Sequence, residues 1–178
     1  MAYFEELQIA MSWLGEKADT LFLGQAVSVP GTAMFNTLKQ LPEDKRIELP
    51  VFEDTQMGIS LGMAMQGTRV VSIFPRWNFL LCATNQLVNH VDKYKLMSSG
   101  DFQPQLIIRT SVGSERPLFP GHQHIGNMSD GFRQLLVNTE IIELYEPDQI
   151  LPAYQHAYNR NDGKSTILVE FGDFYNEK

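Results

Sequence analysis

Two short stretches hold the residue types and spacings that can do chemistry. The first is Glu53-x(4)-Gly58-x(3)-Gly62-x(4)-Gly67. A carboxylate at the start of a helix is favoured by the helix dipole, and taken alone Glu53 reads as an ordinary helix-start acid. Gly58 and Gly62 are four apart and share one helical face, where the missing side chains let another backbone come close. Gly67 is placed to stop the helix. The second stretch is Gly121-His122-Gln123-His124-Ile125-Gly126. Two histidines two apart in a glycine-rich loop fit metal ligands, an acid–base histidine or plain surface residues. Cysteine or carboxylate companions at ligand spacing are lacking nearby, which disfavours a metal site. The acid–base and surface readings stand side by side. His90 and His156 fall inside helical patterns and need no function. Cys82 lies mid-helix with no evident base. The sequence shows no Gly-x-Ser-x-Gly elbow, Walker loop or dinucleotide-binding glycine fingerprint, and Asp162-Gly163-Lys164 follows a helix and reads as a turn.

The elements that must position these stretches alternate. Residues 3–18 read as an amphipathic helix with Phe4, Leu7, Ala10, Met11 and Leu14 on one face. Thr20 to Gly24 reads as a buried strand. A short helix over 32–40 and a short strand over 47–50 follow, then a helix over 54–66 and a strand from Arg69 to Phe74. Residues 78–98 carry the longest helical pattern, and Leu106 to Arg109 the clearest β run. Residues 129–138 read as a helix, Glu140 to Tyr145 as a strand, and Pro147 as the first turn of a helix reaching about Asn161. Thr166 to Phe171 is the last strand. Short apolar strands separated by helices predict a three-layer α/β fold, a mostly parallel sheet of about six strands with helices on both faces. In such folds ligands bind beyond the carboxyl ends of the strands. That places the turn at Phe52-Glu53-Asp54, the turn from Phe74 to Phe79, and the loop 110–127 where a site is expected.

Composition narrows the partners. A length of 178 residues without repeats or Pro/Gly-rich linkers predicts one domain over 1–178. The formal net charge of −7, with no basic cluster, argues against nucleic acid and anionic membrane as partners. The single cysteine allows no intramolecular disulfide and predicts a reducing, cytoplasmic setting. No signal core and no membrane-spanning apolar run is visible.

Taken in order, these segments resemble a known family. Leu23-Gly24, Pro50-Val51-Phe52-Glu53, Gly58 to Gly62, Gly67-Thr68-Arg69, Phe74 to Phe79, Asn85 to Asn89, Lys93 to Gly100, Ile108-Arg109, Gly113 and Gln123-His124 are similar to the transketolase-type pyrimidine-binding domain. They resemble in particular the N-terminal domain of the β subunit of the decarboxylating component of 2-oxo acid dehydrogenase complexes. The resemblance covers most of the chain and implies the thiamine-diphosphate-binding fold. Residue by residue, it implies that Glu53 hydrogen-bonds the ring nitrogen of the cofactor's aminopyrimidine. That bond would favour the imino tautomer, and so the loss of the thiazolium proton. Phe79 matches an aromatic residue beside the aminopyrimidine, with Phe74 packing the same wall. His124 matches a histidine near the reacting substrate.

Five departures stand out. Asn85-Gln86 replaces the family's Asp-Gln, Ile125 replaces a frequent serine, and Arg76 and Trp77 are bulkier and more basic than the pattern. No Gly-Asp-Gly with a distant Asn occurs, and the C-terminal domain of the usual β subunit is absent from these residues. The resemblance therefore implies thiamine diphosphate as cofactor, with Mg2+ and the diphosphate held by a separate partner subunit. It also implies self-association as a dimer or heterotetramer, and a 2-oxo acid or ketose as substrate. The alternative is a catalytically silent interaction or regulatory module on the same fold.

Overall fold

The computed structural model describes residues 2–176. Its helices are α1 (Tyr3–Gly15), α2 (Ala33–Asn36), α3 (Glu53–Met65), α4 (Trp77–Leu81), α5 (Tyr94–Met97), α6 (Ser129–Leu135) and α7 (Pro147–Asn159). The strands are β1 (Thr20–Gly24), β2 (Arg46–Glu48), β3 (Arg69–Ile73), β4 (Leu106–Val112), β5 (Thr139–Glu143) and β6 (Ser165–Phe171). All six pair in parallel, in the order β2-β1-β3-β4-β6-β5. This is the α/β architecture expected from the alternation of apolar runs and helical stretches.

Side chains alternate across each strand and build a core on either face. Phe22, Val71, Ile73, Ile107 and Leu168 pack with Leu7, Met11 and Leu14 of α1 and Ile150 and Tyr154 of α7. Leu23, Val70, Ile108, Ile167 and Val169 pack on the opposite face with Met57, Leu61, Trp77, Leu80 and Phe132. In α1 the buried first-turn residue is Tyr3 rather than Phe4. The Tyr3 hydroxyl reaches the Leu144 carbonyl at 2.7 Å, which lets a polar aromatic be buried. Pro147 starts α7, as expected, and Gln149 reaches back to the backbone N–H of Glu146 at 3.2 Å.

The continuous helix expected over 78–98 is instead three pieces. α4 ends at Leu81, a π-helix covers Gln86–Val91, and α5 begins at Tyr94. The cause lies at Asp92. Its N–H bonds the Leu87 carbonyl five residues back, and the side chain turns inward. There the carboxylate accepts from the N–H of Val137 and of Asn138 at 3.0 and 2.8 Å. A buried carboxylate needs such donors, and the widened turn lets Asp92 reach them.

Strand order reverses between β1 and β3, because the chain passes to β2 on one side of β1 and returns on the other. The carboxyl ends of β1 and β3 are thus the switch point at which open α/β sheets form a crevice.

Candidate active site

Glu53 is the first residue of α3, on the loop leaving β2 beside that switch point. It is 9% exposed, and its Oε1 accepts from Gln25 Nε2 at 3.1 Å. Among the described residues its other oxygen has no partner. Gln25 follows directly on Gly24, the last residue of β1. A side chain at Gly24, where φ is +138°, would run into the Ile73 carbonyl and the Gln56 amide, so the strands can close at this point only around glycine. Gln56, one turn into α3, ties the helix to β3 through Ser72 Oγ at 3.2 Å and the Ile73 carbonyl at 2.9 Å.

The loop after Gln25 is held by a second carboxylate. Glu48, at the end of β2, accepts from the backbone N–H of Ala26 at 2.9 Å, Val27 at 2.7 Å and Ser28 at 2.6 Å. With Val29 N–H at 3.4 Å, four successive N–H groups converging on one acid fix the loop, including Ala26 at φ 59°. Sequence reasoning missed both Gln25 and Glu48. The available signal was weak: a polar residue just past a buried strand, and an acid two residues before Pro50.

A cleft of about 380 Å3 opens over the carboxyl ends of β1, β3, β4 and β6. Gln25, Arg76, Phe79, Ser111 and Tyr175 are among its walls. The Phe79 ring lies 5.8 Å from the His124 ring, tilted by 36°. His124 Nδ1 meets Asn78 Oδ1 at 3.0 Å. With that oxygen as acceptor, Nδ1 carries the proton and Nε2 is left as an acceptor in the neutral ring. The His124 loop is pinned to β4, because Gly113 N–H donates to the His124 carbonyl at 3.0 Å in a contact too close to admit a side chain at Gly113. The structure therefore joins Glu53 to Gln25 and Phe79 to His124, with Gln25 and Phe79 on one cleft. Phase of the strand decides Phe74 differently. It continues the inward face of β3, is wholly buried among Leu23, Met57 and Trp77, and does not line the cleft. His122 is exposed, with its ring against Phe119. Among the described residues no group of three His, Cys, Asp or Glu side chains is placed to hold a metal ion.

Gly58 and Gly62 lie on a bare face of α3. A side-chain carbon added at either would meet nothing within 4 Å, so these glycines do not serve packing inside the chain. Val51, Phe52 and Ile59 stand exposed at the same end of the helix.

Behind the cleft lies a buried polar network, in which Arg109 Nη1 has no partner among the described residues. Glu170 on β6 accepts from Arg109 Nε at 2.5 Å and Nη2 at 2.9 Å, from the Tyr154 hydroxyl at 2.7 Å and from the Tyr175 hydroxyl at 2.6 Å. Burial opposes the Arg109 charge, but Glu170 outweighs it and holds the guanidinium pKa above its ordinary value. Burial, then the Glu170 charge, pushes both tyrosines up, so they remain hydroxyl donors.

Known proteins share this sequence pattern and this fold. The chain is 33% identical over 132 residues to the "Pyruvate dehydrogenase E1 component subunit beta" of Gracilaria tenuistipitata var. liui, covering 74% of this chain and 39% of that protein. It is 26% identical over 117 residues to the "2-oxoisovalerate dehydrogenase subunit beta" of Bacillus subtilis (strain 168), covering 64% and 36%. The matches thus span less than half the length of these relatives. In fold it matches a solved "Split gene transketolase, inactive beta4 tetramer" with a TM-score of 0.72 and 14% identity, over 96% of this chain and 51% of that one. No family model matches the chain. The chain thus resembles the β subunits of 2-oxo acid dehydrogenase complexes in sequence and a transketolase in fold, as its motifs imply. Among the described residues no helix is long and apolar enough to cross a membrane.

Proposed function

We propose that the chain is the pyrimidine-binding subunit of a thiamine-diphosphate-dependent enzyme, completed by a separate subunit that binds the diphosphate and Mg2+. The observation that carries this reading is the state of Glu53. One carboxylate oxygen is engaged by Gln25, and the other has no partner among the described residues. A carboxylate presented from the first turn of a long helix, with one oxygen to spare, fits a protonated ring nitrogen as a charge-assisted acceptor. Thiamine diphosphate, when bound, supplies the acyl-anion equivalent through which a 2-oxo acid or ketose is cleaved or transferred at carbon. Gln25 keeps the Glu53 carboxylate oriented. Phe79 offers an aromatic wall, while Phe74 supports the structure beneath it. His124, its Nδ1 engaged by Asn78, has Nε2 available to hold or pass a proton at a substrate oxygen. The bare glycine face of α3 and its exposed apolar flank support an assembly surface next to the site, in a dimer or heterotetramer.

The test is co-purification with candidate diphosphate-binding chains, followed by calorimetry with thiamine diphosphate and Mg2+. Tight binding is expected for the assembly and not for this chain alone, because the diphosphate and Mg2+ contacts are assigned to the proposed partner. Sub-micromolar binding by the purified chain would overturn the dependence on a partner. An assembly that binds no thiamine diphosphate would overturn the enzymatic reading.

A further inference from the structure

We propose that Arg76 is the anion anchor of the switch-point cleft and receives an oxyanion of the substrate, a carboxylate or a phosphate. The inference rests on the reading of the cleft as a substrate site and adds the chemistry of what enters it. Of the thirteen residues lining the cleft, Arg76 alone carries a charge. No acid lines the cleft, although Glu53 and Glu48 sit directly behind its Gln25 and Ala26 walls, so a cation at Arg76 is the one lining charge that can meet an incoming anion.

The other cleft donors are largely spent. Ser111 Oγ donates to the Pro75 carbonyl at 2.7 Å, Gln25 Nε2 to Glu53 at 3.1 Å, and the Tyr175 hydroxyl to Glu170 at 2.6 Å. Among the described residues, the Arg76 guanidinium and the Ser114 hydroxyl have no partner. Arg109, Arg133 and Arg160 each hold a carboxylate, whereas Arg76, like Arg46, Arg69 and Arg116, has none among the described residues. Arg76 is also positioned. Its carbonyl accepts from Phe79 N–H at 3.0 Å and Leu80 N–H at 3.3 Å, fixing its backbone at the head of α4. A side-chain carbon at Gly113 would come within 3.3 Å of Arg76 Cδ, so the bare glycine makes room for the arginine stem. A planar fork of N–H donors beside one hydroxyl suits two oxygens of a carboxylate or phosphate. The cleft's size admits a small organic anion.

The experiment is an amide-resolved NMR titration of the full chain at fixed low ionic strength. The probes are pyruvate, inorganic phosphate and uncharged methyl pyruvate. Saturable shifts at Gly113, Ser114 and Phe79 are expected with pyruvate or with phosphate, and the tighter of the two identifies the oxyanion. Arg76→Gln should weaken that binding about tenfold or more, Arg76→Lys should weaken it less, and methyl pyruvate should bind about tenfold more weakly than pyruvate if the carboxylate is the group recognised. Failure of both anions to saturate, or equal affinity in Arg76→Gln, overturns the proposal. A folding check on the variants by their amide spectra keeps a lost site distinct from a lost fold. The titration needs neither cofactor nor partner, so it can fail while the reading of Glu53 stands, and succeed while that reading fails.

Discussion

Glu170 and Glu53 are carboxylates at the same end of one sheet, and their surroundings differ in kind. Glu170 is wholly buried and accepts four hydrogen bonds from Arg109, Tyr154 and Tyr175. Glu53 accepts one, from Gln25, and keeps a trace of exposure. A buried ion is tolerated only when fully satisfied, and Glu170 has nothing left to offer a ligand. Glu53 is held in place with one oxygen uncommitted, the arrangement a binding site needs. Tyr175 joins the two regions, since its hydroxyl serves Glu170 while its ring walls the cleft. The buried network thereby stiffens the back of the open one.

The contrast is sharpest in stability. Arg109→Met should leave Glu170 buried beside two neutral donors and cost about 3–5 kcal/mol. Urea unfolding measures this, and a loss below about 1 kcal/mol would mean that the network is not the rigid half of the comparison. Glu48→Ala comes next. It strips the N–H groups of Ala26, Val27 and Ser28 of their acceptor, with an expected loss of about 1–3 kcal/mol. Faster amide exchange confined to residues 25–29 should accompany it. Protection unchanged there would remove Glu48 as the holder of the Gln25 loop.

Glu53→Gln should cost less than about 1 kcal/mol, because its single partner, Gln25, can meet an amide oxygen as well. In the assembly proposed above, loaded with thiamine diphosphate, proton–deuterium exchange at the thiazolium carbon should fall about 100-fold or more, since the amide is a far weaker acceptor. A variant that is badly destabilised would class Glu53 with Glu170. One that exchanges like the wild type would leave it a helix-start acid.

Most of the sheet was legible in the sequence because β1, β3, β4 and β6 are short runs buried along nearly their whole length, and helices separate all six strands. Glu53 was legible as a first-turn acid ahead of spaced glycines. Gln25 and Glu48 were not, because what they do depends on loops that meet only when β1, β2 and β3 align. The break in the helix at 82–93 was hidden for a similar reason: Asp92 turns inward toward donors 45 residues further along the chain. Leu87 and Val91, both buried, fit a regular helix as well as a widened one. Phe74 lies at a strand's end, where one step of alternation decides between cleft and core, and the aromatic residue type does not say which.

The smallest effect belongs to a third kind of carboxylate, fully partnered but in water. Asp162, in the turn before β6, accepts from both Nε and Nη2 of Arg160, at 3.0 and 2.7 Å, and from Lys164 N–H at 3.1 Å. The Arg160 hydrogen bonds pull its pKa down to about 2. A carboxyl group whose pKa is lower in the folded chain stabilises the fold above its unfolded pKa, about 4, and loses that contribution as pH falls through the folded value. Asp162→Asn keeps an oxygen for the Lys164 N–H and removes only the charge. The variant should therefore melt slightly lower than wild type near neutrality, by an amount worth well under about 1 kcal/mol because the side chain is 46% exposed and screened. The gap should close between about pH 4 and pH 2 as the wild-type carboxylate protonates. Paired melting curves across that range measure it. A gap that persists at the acid end would trace to the turn geometry rather than the charge, and a gap as large as that of Arg109→Met would show that partner count alone, and not burial, separates Glu170 from the carboxylates at the surface.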